Sequence, residues 1–124
     1  MKLLDSKIED STIIFTFEGG QMLKAENYGA GHKFWYLNGE LHREDGPAVE
    51  WASGDKFWHL NGKCHREDGP AIEHANGDKF WYLNGELHRE DGPAVEWANG
   101  NKYWYLNGKE LTEEEYNEAI RLKD

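Results

Sequence analysis

Residues 54–76 read GDKFWHLNGKCHREDGPAIEHAN, and the same pattern stands on either side: GHKFWYLNGELHREDGPAVEWAS over 31–53 and GDKFWYLNGELHREDGPAVEWAN over 77–99. A fourth copy opens at Gly100 as GNKYWYLNGKEL and then leaves the pattern. The period is 23 residues. Copies this close fold as one repeated supersecondary unit, and each unit hides its apolar side against its neighbours.

Each copy carries two hairpin signals. The first is Asn-Gly after an aromatic run, as in Phe34-Trp35-Tyr36-Leu37-Asn38-Gly39. Both residues tolerate positive φ, which a two-residue type I′ turn requires. The second is Ser53-Gly54, Asn76-Gly77 or Asn99-Gly100, ahead of the next aromatic run. Between them stands Arg-Glu-Asp-Gly-Pro, whose proline belongs at a turn or a strand entrance. Aromatic and β-branched residues fill the other positions, as strands prefer. The pattern predicts a mainly β fold, an antiparallel hairpin meander of about two short strands per repeat.

Turning the chain at Asn61-Gly62 sets Leu60 opposite Lys63, His59 opposite Cys64 and Trp58 opposite His65. Phe57 and His59 then share one side, while Trp58 and Leu60 share the other. Both sides are apolar, so the sheet has to cover one of them or curve around it.

The flanks read as caps. Within 1–30, Thr12 to Phe17, a Glu18-Gly19-Gly20 turn and Gln21 to Ala25 predict a divergent first hairpin, and the glycine-rich 27–31 joins it to the repeats. Full repeats occupy 31–53, 54–76 and 77–99, with a partial one over 100–110. Over 111–124, Thr112 and Glu115 form a capping box, Leu111 is placed to staple onto Tyr116, and three glutamates suit a helix N-terminus. That helix, with an apolar stripe of Tyr116, Ala119 and Ile120, is expected to close the last sheet edge.

With 124 residues the chain is expected to be a single domain. Its net charge is −10 and its pI about 5.0. With no basic cluster, direct binding to nucleic acid or anionic membrane is disfavoured. There is no apolar run long enough to span a bilayer, and with Asp5 following Leu4 no signal peptide is expected. The lone Cys64 cannot form an internal disulfide, so the expected compartment is reducing and cytoplasmic.

The units resemble MORN-type repeats in a variant form, through Trp35, Asn38-Gly39, His42, Asp45-Gly46 and Gly54. Phe34 and Arg43 stand where that family commonly has glycine. The W-x-L-N-G-x-x-H-R-x-D-G-P-A spelling with its Thr-Glu-Glu-Glu helix is also similar to small phage and large-virus repeat proteins and to an antitoxin-like family. The resemblance implies stacked hairpins and protein interaction, in a bacterial host cytoplasm for a phage-encoded chain. It brings no catalytic residues.

The tract His42-Arg43-Glu44-Asp45, repeated at 65–68 and 88–91, holds acid, base and cation together. Catalysis needs one converging constellation, whereas three tandem copies give equal shallow loops. The structural reading is favoured: Asp braces the Gly-Pro turn and Arg pairs with a neighbouring repeat's carboxylate. No enzyme, cofactor or metal is expected. His59 and Cys64 form a facing pair, but a closed zinc site wants four ligands.

Binding is expected instead. The tryptophans at 35, 58, 81 and 104, with Phe34, Phe57, Phe80 and Tyr103, read as mostly core. The better contact residues are Tyr36, Trp51, Tyr82, Trp97 and Tyr105, together with His59, Cys64 and His74, where the second unit departs from its neighbours. The leading expectation is a non-catalytic, protein-binding inhibitor or antitoxin-like module of unknown partner. A second is a nucleic-acid mimic whose row is Glu44, Asp45, Glu67, Asp68, Glu90 and Asp91, interrupted by the arginines. A third is a protein that sequesters a small molecule, such as a nucleotide, in aromatic clefts between repeats or between subunits. Exposed aromatics and sheet edges make a homodimer reasonable.

Overall fold

A computed structural model describes residues 2–9, 12–26 and 31–123. It is an antiparallel hairpin meander closed by one C-terminal helix. Of the connection expected over 27–31, residues 27–30 lie outside the described residues.

The chain opens with β1 (Leu3–Glu9), β2 (Thr12–Phe17) and β3 (Gln21–Glu26). The first unit gives β4 (His32–Leu37), β5 (Glu40–Leu41) and β6 (Val49–Glu50). The second gives β7 (Lys56–Phe57), β8 (His59–Leu60), β9 (Lys63–Cys64) and β10 (Ile72–Glu73). The third repeats this as β11 (Lys79–Phe80), β12 (Tyr82–Leu83), β13 (Glu86–Leu87) and β14 (Val95–Glu96). The partial unit forms β15 (Lys102–Leu106) and β16 (Lys109–Leu111), and α1 (Glu113–Leu122) follows.

These strands make two tiers. The main ladder runs β1-β2-β3-β4-β6-β7-β10-β11-β14-β15. In it Phe34, Val49, Phe57, Ile72, Phe80, Val95 and Tyr103 lie successively opposite one another, so they share one face. The neighbouring positions pair Lys with Glu all along, from Lys33 opposite Glu50 to Glu96 opposite Lys102.

The second tier is the row of Asn-Gly hairpins. In each turn the asparagine has φ of 51–52° and the glycine 77–83°, the left-handed pair that a type I′ turn demands. His59 lies opposite Cys64 and Leu60 opposite Lys63, the register set by that turn. Adjacent hairpins are joined by backbone bonds: Arg43 N–H donates to His59 O and Gly62 N–H to Leu41 O, and the next boundary repeats both through Arg66 and Gly85.

Two expectations need correction. The expected hairpin is present as β2 and β3, but the N-terminal cap has a third strand, since β1 pairs along β2. Every residue of β1 is exposed, so its sequence carries no alternation from which a strand could be read. The middle units also hold four short strands each, because the aromatic run breaks at Trp58 and Trp81. There the chain passes from one tier to the other: Trp58 N–H donates to Ala71 O, and Trp58 O accepts from His65 N–H.

That crossing point is the core. Ala48, Ala71 and Ala94 are fully buried, flanked by Val49 and Val95. Phe17 stacks on Trp35 at the N-terminal end, with ring centroids 5.8 Å apart. At the other end Thr112 Oγ1 accepts from Glu115 N–H (3.1 Å) and Glu115 Oε1 accepts from Thr112 N–H (2.8 Å), completing the capping box. Tyr116 is buried, and its hydroxyl donates to Arg89 O (2.7 Å) and accepts from Gly92 N–H (3.1 Å), which docks α1 on the third unit. No helix among the described residues is long and apolar enough to cross a membrane.

Candidate functional site: two faces of the repeat

The His-Arg-Glu-Asp tract folds back over the tryptophans. The guanidinium carbons of Arg43, Arg66 and Arg89 lie 4.6, 3.9 and 3.9 Å from the ring centroids of Trp35, Trp58 and Trp81. A cation over a tryptophan face is held by the ring quadrupole. Each Arg Nε donates to the Asp two residues on, and each Nη1 to the proline carbonyl four residues on. Arg43 and Arg89 also donate to Glu50 and Glu96. The glycine of the tract is what lets the guanidinium in: a Cβ on Gly46, Gly69 or Gly92 would meet the arginine Cζ at 2.8–2.9 Å. The arginine therefore pairs within its own unit, not with a neighbour, and its aspartate is occupied by that pairing rather than by bracing the turn. The lid places its Nε and Nη1 donors within the unit, which spacing to the next copy could not reveal.

The histidine of the tract is a staple between units. Nδ1 of His42, His65 and His88 accepts the backbone N–H of Asn61, Asn84 and Asn107, at 2.9, 2.9 and 2.8 Å. Its proton therefore sits on Nε2, which in His88 lies 3.0 Å from Glu90. A second set of bonds runs from one outer turn to the next, where Asp55 and Asp78 accept the N–H of Ala75 and Ala98. That bond to Ala75, ahead of the nearby His74, holds the Asp55 carboxyl below its ordinary range.

With the arginines drawn inward, the carboxylates remain outside. Glu44, Asp45, Glu67, Asp68 and Asp91 have side chains 80–88% exposed. Asp45, Asp68 and Asp91 are each paired with the arginine of their own tract, so the arginines interrupt the row at the aspartates and leave Glu44 and Glu67 open. Glu90 is the exception, engaged by Lys123 from α1 and by His88. Between successive tracts lie clefts of about 620 and 640 Å³, floored by Trp58 and Leu60 and by Trp81 and Leu83.

The other face gathers the expected contact residues. Trp51 stands edge-on to Phe34 (5.3 Å) and to His32 (4.8 Å), and Trp97 edge-on to Phe80 (5.3 Å). His74 fills the same position in the second unit, 5.8 Å from both Phe57 and Phe80. Tyr82 and Tyr105 line one shallow cleft of about 330 Å³ with Phe80, Trp97 and Tyr103. Tyr36 takes the Lys24 ammonium 5.2 Å over its ring. The Tyr105 hydroxyl donates to Glu110 (3.1 Å).

The second unit repeats this arrangement with different chemistry. His59 occupies the Tyr82 position and Cys64 the Leu87 position, facing each other across the turn. Burial lowers His59, whose Nδ1 has no partner among the described residues. Burial also pushes the Cys64 thiol up to about 12 and raises Tyr82, with Cys64 a further contributor to the latter. Among the described residues, no three His, Cys, Asp or Glu side chains converge as metal ligands would.

Trp51, Trp97 and Tyr103 are 39–40% exposed, the largest open aromatic surface of the described repeats. Tyr103, itself expected in the core, belongs to this open face. The signal for it was the two-residue step from Tyr105, which puts both on one side of a strand. A scan of protein-family models finds no match to the chain, and neither do searches of curated proteins and of solved structures.

Proposed function

We propose that the chain is a non-catalytic binding module that occludes a protein partner with its aromatic face. One observation carries the reading: Tyr36, Trp51, His59, Cys64, His74, Tyr82, Trp97 and Tyr105, dispersed over four units, occupy equivalent places on one side of the molecule. A half-open row of Tyr and Trp combines area with polar tips, as interface hot spots do. The resemblance to variant MORN-type repeats of phage and antitoxin-like proteins supports an inhibitor role.

A second reading has its own support. The exposed Glu44 and Glu67, beside Asp45 and Asp68 whose charge Arg43 and Arg66 offset, present a row of carboxylates suited to a basic surface. A protein that handles DNA or RNA would offer one.

Affinity capture with three forms separates the two. One is the wild type, one is Trp51→His with Trp97→His, and one is Glu44→Gln with Glu67→Gln. The His substitutions copy the residue that the second unit already holds at this position, so the fold tolerates them. The aromatic reading expects a protein retained by the wild type and the Gln form and lost by the His form. Loss from the Gln form alone, mirrored by loss in salt, overturns it in favour of charge mimicry. A partner retained by all three forms refutes both.

A further inference from the structure

The two ends of the sheet are finished differently. At the C-terminal end α1 packs on β15 and β16. At the N-terminal end β1 pairs with β2 on one side and with no strand on the other, among the described residues. It is seven residues long and exposed throughout, with Leu3, Leu4 and Ile8 among the most open apolar side chains of the chain. An uncovered edge of this length is a template for another strand.

The sequence of β1 says which strand fits. In Leu3-Leu4-Asp5-Ser6-Lys7-Ile8-Glu9, the residues either side of Ser6 carry opposite charges. Laid antiparallel against a second copy with Ser6 opposite Ser6, Asp5 meets Lys7 of the other copy and Lys7 meets its Asp5. Residues directly opposite share a face, so both ion pairs form and no like charges meet. We propose that β1 is a self-docking edge, through which two copies of the chain join strand to strand in this register.

Two features bear on the fit. Lys7 already lies 2.9 Å from Glu9 of its own strand, yet an ammonium has three donors and serves both carboxylates. The register of β1 on β2 shifts between Leu3 and Asp5, so regular pairing is confined to the stretch from Asp5 onward that contains the charged pair. A lysine on an edge discourages unrelated strands. With Asp5 two residues away, it instead selects a copy of itself. A two-fold pairing uses both open edges at once, so association stops at the dimer. The axis stands perpendicular to the sheet, and the aromatic faces of both copies then point the same way.

Sedimentation equilibrium of the full chain at low salt tests the register. The wild type is expected at twice the 14.4 kDa chain mass. Asp5→Lys and Lys7→Asp, both at exposed positions, are each expected at the single-chain mass, because each homodimer would juxtapose like charges. An equimolar mixture of the two variants is expected to return to the doubled mass, since Lys7 of one chain meets Asp5 of the other as before and the introduced Lys meets the introduced Asp. A single-chain wild type overturns the proposal, and so does dimerisation that either charge variant leaves intact. A mixture that fails to reassociate overturns the register.

Discussion

Nδ1 of His65 accepts the backbone N–H of Asn84 at 2.9 Å, so a side chain of one unit closes the turn of the next. The bond ties the left-handed asparagine to a nearly buried imidazole. His65→Ala leaves that N–H without its partner. A loss of about 0.5–1.5 kcal/mol in urea unfolding is expected, the net contribution of one hydrogen bond, since water can reach the exposed Asn84 N–H. Glu67→Gln, at an exposed position beside it, is the control and should fall within about 0.5 kcal/mol of the wild type.

Gly69→Ala tests the arginine lid. Gly69 does not lie in the left-handed region, so alanine meets no backbone strain, only Arg66 Cζ at 2.9 Å. The guanidinium has to leave the Trp58 face. The Arg66 Nε–H resonance should lose its ring-current shift, and stability should fall by about 1–2 kcal/mol, the range of a desolvated cation–π contact.

Stability should weaken in mild acid. Burial sets His59 and His88 below the ordinary 6.5, with Lys123 adding to the shift of His88. Below that value the unfolded chain binds more protons than the folded one, so stability falls as pH drops from there through the lowered folded values. Urea midpoints at about pH 8 and about pH 5.5 measure it. His59→Tyr, which installs the residue of the other units, removes the share of His59 and leaves that of His88.

Cys64 should be inert while the chain is folded. With its thiol pushed up to about 12 from 9.0, the thiolate fraction at about pH 8 is of the order of a thousandfold below that of an ordinary cysteine. Alkylation followed by mass spectrometry should be slow in the native chain and rapid in guanidinium. Fast native labelling would show the second unit to be open at this point.

What the sequence made legible is what local chemistry decides. Asn-Gly set the type I′ turns and, through them, His59 opposite Cys64. Thr112 and Glu115 announced the helix start. The alternation of Phe57 with His59 placed the aromatic face. Three features were hidden because their causes are not local. β1 has no buried face and gains its identity from pairing with β2. The run breaks at Trp58 but not at Trp35, which makes the same bond to its alanine, because Trp35 also pairs with Leu23 of β3. Arg66 turns inward because Trp58 and Gly69 come together around it, an arrangement that no spacing of charges betrays.

The oddness of the second unit has a geometric consequence. Three units with the same face would look alike to anything lying along them, and an occupant could sit one step up or down the stack with equal comfort. Because His59, Cys64 and His74 interrupt the Tyr, Leu and Trp that stand at those places on either side, the stack has an origin. A bound molecule that tells imidazole from indole has one alignment instead of several, and the landmark lies at the centre of the face rather than at an end.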